Sequence, residues 1–187
     1  MTLAMDTPAD FQRTLAGLRA LSLRSEISYT EIPAPGRLAP FSVALSGEII
    51  NGSDEELGSG RFIVLHDPNG VDEWDGEFRV VSFVRAVVEQ DLASDPMMTD
   101  VGWSWLDESL RGVNYRCLGG TVTQTSSVSY ADLASRVPEG IVEIRASWTP
   151  TDADLVPHAE AWAQLLAQAC GLPPLPPGVA HIRPGGR

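Results

Sequence analysis

The chain has 187 residues, 43% of them hydrophobic, and a formal net charge of −12 from 25 acidic and 13 basic side chains. That length and composition suit one domain with a real core and exclude global disorder, while the acid excess excludes a nucleic-acid or anionic-membrane surface, which needs a basic face. All 13 basic residues are arginine, which also excludes Schiff-base chemistry, a P-loop lysine and an amine general base.

Met1–Asp10 has no basic start and no apolar stretch, so it does not read as a signal peptide. No run approaches the ~18 apolar residues of a membrane span. Cys117 and Cys170 are too few for a disulfide framework and fit a reducing compartment. The expected location is the cytoplasm.

Thr7-Pro8-Ala9-Asp10 reads as a helix start, with threonine as cap and proline at the first helical position. Phe11, Leu15, Leu18 and Leu21 follow at helical spacing, predicting an amphipathic helix over 8–22. Residues 25–32 look extended and stop at Pro33-Ala34-Pro35-Gly36. Residues 42–50 alternate as a half-buried strand, 51–60 read as a polar loop, and 61–66 as the return strand of a hairpin. Asp67-Pro68-Asn69-Gly70 has the chemistry of a turn.

Glu77–Glu89 fits both helical and strand periods; Val80, Val81, Val84, Val87 and Val88 decide for a strand. Residues 99–111 predict a helix burying Val101, Trp105 and Leu110, stopped by Gly112. A threonine-rich strand over 116–127 and a cleanly alternating one over 141–148 follow. The last helix is expected over 154–170, burying Leu155, Ala159, Trp162 and Leu166, with Gly171 ending it and Pro157 tolerated in its first turn.

These elements predict an α+β fold in the order α-ββββ-α-ββ-α: an antiparallel sheet of five to six strands with the helices packed on one face. The single domain is expected over 1–172, followed by a flexible Pro/Gly-rich tail over 173–187. In element order alone this is similar to the type III secretion chaperones and related small α+β folds.

Motifs for catalysis are incomplete. Gly102-Trp103-Ser104-Trp105-Leu106 approaches a nucleophile elbow but lacks the second glycine and follows no strand. Gly58-Ser59-Gly60 opens like a dinucleotide fingerprint but meets Ile63 where a third glycine belongs. His66, His158 and His181 share no motif with each other or with the cysteines.

The densest group of oxygen donors is the acidic loop 67–77, with Asp67, Asn69, Asp72, Glu73, Asp75 and Glu77. Val71 and Asp72 stand where an EF-hand would place its third ligand and its glycine, so turn formation is the preferred reading. Five tryptophans remain. Trp148 and Trp162 lie on apolar faces, whereas Trp103 and Trp105 diverge by about 200° on a helix and cannot both face inward. One of them is therefore expected at a contact surface, extended by Met97 and Met98.

Glu31-Ile-Pro-Ala-Pro35, Trp74-Asp-Gly-Glu-Phe-Arg79, Ala93-Ser-Asp-Pro96, Val101-Gly-Trp-Ser-Trp-Leu106, Leu118-Gly-Gly-Thr121 and Ala146-Ser-Trp-Thr-Pro-Thr-Asp152 together resemble an uncharacterised actinobacterial family, domain of unknown function number three thousand. The resemblance runs from about Phe11 to Gly171 and implies no activity and no catalytic residues. The functional expectation is a non-catalytic cytosolic binding or adaptor protein, acting through protein-protein contacts as a homodimer or with another cytosolic protein. No cofactor, nucleic acid or membrane is expected. The alternative is a small metal-assisted hydrolase using loop 67–77.

Overall fold

The computed structural model describes residues 7–174. Helix α1 (Ala9–Arg19) leads into a meander of four strands: β1 (Ile27–Ile32), β2 (Phe41–Ile50), β3 (Glu56–Val71) and β4 (Gly76–Val88). Two helices follow, the short α2 (Gln90–Ala93) and α3 (Met98–Ser109), then β5 (Tyr115–Ser127), β6 (Glu139–Pro150) and α4 (Val156–Ala169). All six strands form one antiparallel sheet in the order β1-β2-β3-β4-β6-β5. The α+β expectation and its element order stand, with α2 as the one unexpected helix. Among the described residues no helix is long and apolar enough to cross a membrane.

Alternation along β2, β3, β4 and β6 puts one apolar row against the helices. Phe62 and Val64, Val80 and Val84, and Val142, Ile144 and Trp148 are all buried on that side. At the centre, Gly47 and Gly60 pair across β2 and β3 and leave a hollow for the Trp162 indole of α4. A Cβ on Gly47 would stand 2.8 Å from Trp162 Cη2, and one on Gly60 2.9 Å from its Nε1. Trp162 Nε1 donates to the Phe83 carbonyl at 3.3 Å. The glycines thus let a bulky helix residue seat directly on the sheet backbone.

This contact corrects the polar loop expected over 51–60, because β3 begins at Glu56. Gly58 and Gly60 weaken a strand by propensity, but here they admit α4: a Cβ on Gly58 would lie 2.5 Å from Cys170 Sγ. Nor does Asp67-Pro68-Asn69-Gly70 reverse the chain. It bulges within β3, where His66 faces Phe78 and Val71 faces Gly76. The Asp67 carboxylate accepts from the Asn69 N–H at 3.0 Å, and Gly70 takes φ +73°. The reversal itself is the single turn Asp72–Trp74, closed by Asp75 in a left-handed conformation.

Helix α1 spans 9–19 rather than 8–22, and Thr7 does not cap it: Pro8 holds the cap position without a side-chain bond. Helix α4 follows expectation, with Leu155, Ala159, Trp162 and Leu166 buried and Pro157 in its first turn. The tail read from 173 lies, from 175 onward, outside the described residues. Pro173 accepts a hydrogen bond from Arg24 at 3.0 Å.

Candidate functional site

Helix α3 lies over β5 and β6, and its inner face differs from the predicted one. Met98, Gly102, Leu106 and Ser109 are buried there, together with Leu110. Val101 is exposed and Trp105 only half-buried. The displacement has a steric cause: at Gly102 a Cβ would meet Val122 of β5 at 2.9 Å, so closest approach to the sheet falls on a glycine. Trp103 and Trp105 are both half-buried and pack on the rim of the core. Of the two methionines, Met98 is in the core and Met97 is 64% exposed, so Met98 leaves the expected patch.

His158, Cys170 and Ser104, three groups capable of acid, base or nucleophile chemistry, are wholly or partly buried or already engaged. His158 is buried and its Nδ1 accepts from Trp148 Nε1 at 2.9 Å. Burial pushes its pKa down to about 4, against the opposing pull of Asp152 and Asp154. Burial pushes the Cys170 thiol up to about 12, so it carries no thiolate at neutral pH. Ser104 spends its hydroxyl on the Val101 carbonyl at 2.7 Å. His181 lies outside the described residues.

His66 is enclosed by aromatic rings, stacked on Phe78 at 4.1 Å and on Phe11 at 5.7 Å, with Phe41 at 6.1 Å. Neither ring nitrogen has a hydrogen-bond partner among the described residues. A buried polar ring without partners costs stability that a phenyl ring would not. His66→Phe should therefore gain about 1–2 kcal/mol in urea unfolding; a loss of stability would show that a nitrogen is engaged.

Nor does the acidic loop assemble a donor set. Asp67 turns back on Asn69, and Asp75 pairs with Arg116 at 3.1 Å. Asp72 and Glu73 are exposed on the reversal, and Glu77 is exposed on β4. Among the described residues no three His, Cys, Asp or Glu side chains converge to hold a metal ion. A groove of about 350 Å³ beside α4 is lined by Glu108 and Glu160 on separate helices and by no histidine.

Exposed apolar side chains, in contrast, gather at one end of the sheet. There β4 and β5 finish and β6 begins, since Val88 and Ser126 both face Gly140. Val87, Leu92, Met97, Val101, Val128, Tyr130, Leu133 and Val137 all belong to segments meeting at this end, with Tyr130 78% and Val137 82% exposed. Glu89, Asp91, Asp95, Asp100, Asp132 and Glu139 stand among them, all exposed. Among the described residues none of these six forms an ion pair, and Arg136 is the one cation within 87–101 and 126–140. Apolar surface concentrated this way marks contact sites more often than scattered single residues do.

A family model described as "Protein of unknown function (DUF3000)" matches residues 7–180. The chain belongs to the DUF3000 family. No curated protein and no solved structure matches it. The DUF3000 match spans every element from α1 to α4, so the glycine seat of Trp162, helix α3 and the apolar end all lie within it.

Of the residues expected at a contact surface, Met97 is exposed at this end, Trp103 and Trp105 are half-buried on the rim of the core, and the segment 128–138 was not anticipated. Its signal was four large apolar residues in a stretch with no strand or helix period, where only polar loop residues are expected.

Proposed function

We propose that this DUF3000 protein is a non-catalytic binding protein of the cytosol. Its acid-rimmed apolar end docks a protein segment that is both apolar and basic. The observation that carries this reading is the collection of Val87, Leu92, Met97, Val101, Val128, Tyr130, Leu133 and Val137 at one end of the sheet among six unpaired carboxylates. Apolar contact supplies affinity, and the carboxylates select a cationic partner and speed its approach. No histidine or cysteine lies within 87–101 or 126–140 to join these carboxylates.

The test is affinity capture from native cytosol with mass spectrometry, using the wild type beside the double variant Met97→Glu/Val137→Glu. Both side chains are exposed, so the variant should fold normally. A basic protein retained by the wild type, lost from the variant and released as salt rises supports the reading. Identical captured sets from the two proteins would refute it.

A further inference from the structure

Strand β5 is the outer strand at one side of the sheet, and among the described residues nothing pairs with its free edge. Every second residue there turns its N–H and C=O outward, which makes an open template for another strand. Folded proteins guard such edges with charge, proline or brevity. β5 runs for thirteen residues and, past Arg116 at its start, does none of these: from Cys117 to Ala131 the chain carries neither a charge nor a proline.

The opposite edge is guarded. β1 has six residues, ends against Pro33, and is flanked by the pairs Arg19–Glu31 at 3.0 Å and Arg24–Glu26 at 2.8 Å. One open edge and one closed edge limit assembly to two copies.

We infer that β5 pairs antiparallel with β5 of a second copy across a two-fold axis, joining the two sheets into one. The pairing span is Gly119–Ser127, centred on Thr123. It brings Thr121, Thr123 and Thr125 together with their counterparts on the uncovered face, with no charge to oppose contact despite the acidity of the whole chain. On the helix-covered face, the Gln124 side-chain oxygen is buried without a partner among the described residues.

Both ends of β5 are already fixed for such a role. Arg79 donates to the carbonyl of Cys117 at 2.9 Å in the bulge near its start, and Gln90 donates to Ser126 near its end.

Helix α3 adds a second contact. Glu108 on one flank is bonded by Gln168 of α4 at 3.1 Å. Trp103, five residues earlier, points about 140° away from it around the helix, to the side turned from α4, and is half-buried. A two-fold axis normal to the sheet sets the two α3 helices side by side, with Trp103 between them.

This contact runs along the β5 edge and does not rest on the proposed function; its test needs only the purified full chain. Sedimentation equilibrium should give a dimer in the micromolar range. Thr123→Lys/Thr125→Lys places like charges opposite one another only in the dimer, and Trp103→Ala removes the helix contact. Each should weaken dimerisation by at least about tenfold. Both threonines are exposed, so unchanged circular dichroism is expected for the lysine variant. Hydrogen exchange gives an independent readout: the outward-facing amides of 119–127, every second residue, should be protected in the wild type and lose protection on dilution. A wild type that stays monomeric with fast-exchanging outward β5 amides, or a dimer indifferent to both variants, would overturn the inference.

Discussion

Trp162→Ala should lower stability by about 4 kcal/mol in urea unfolding, among the largest effects of any single truncation here. The indole is 1% exposed and sits on the backbone at Gly47 and Gly60, tilted against Phe62 at 5.9 Å. Two bare glycines cannot move to fill the space it leaves, so the cavity persists and adds to the lost transfer energy. The reverse steric experiment is Gly60→Ala. It adds one methyl, yet its Cβ would stand 2.8 Å from the Phe83 carbonyl and 2.9 Å from Trp162 Nε1. It should destabilise as well, by about 1–3 kcal/mol. If Gly60→Ala were neutral, the seat would be looser than described.

Acidification from pH 6.5 to 4 should remove about 3 kcal/mol of stability through His158 alone. Its folded-state pKa, about 4, lies below the ordinary histidine value because burial disfavours the imidazolium. Between those two values the unfolded chain binds the proton and the folded chain does not, so stability rises with pH across this window and is fully present above it. Protonating Nδ1 would also abolish the acceptor for Trp148 Nε1. Urea unfolding at several pH values checks this, with His158→Gln as the comparison: its side-chain oxygen can still accept from the indole but does not titrate. The slope between pH 4 and 6.5 should flatten in that variant, and an unchanged slope would assign the effect elsewhere. Glu26, held at about 2 by its hydrogen bond from Arg24, acts in a separate window: its contribution is lost only as pH falls below the ordinary carboxylate range.

Elements with a clean period were legible in the sequence. Helices α1 and α4 and strands β2 and β6 each bury one regular row, and that row is what periodicity detects. Errors arose where backbone closeness replaced side-chain bulk. Gly58 and Gly60 read as loop because strand propensity penalises glycine, although in β3 their missing side chains admit α4. At Gly102 the same logic turned α3 by part of a turn, exposing Val101 and leaving Trp105 half-buried. Asp67–Gly70 has true turn chemistry, but a turn motif does not say whether the chain reverses or bulges. Site residues were legible only in part. Met97, Trp103 and Trp105 reach the surface or its rim, whereas the apolar end depends on tertiary placement of 87, 92, 128, 130, 133 and 137, which no local pattern encodes.

Strand order also sets a timetable for synthesis. β1 to β4 can pair as soon as each leaves the ribosome, because every partner is the preceding neighbour in the chain. The other side of β4 waits for β6, about fifty residues later, since β5 is made first but ends up outside β6. At typical elongation rates the hydrophobic run Val80–Val88 keeps an unsatisfied edge for roughly 3–10 s. During that interval the nascent chain is exposed to misassociation, and occupancy by a chaperone should peak between the emergence of Val88 and that of Glu139.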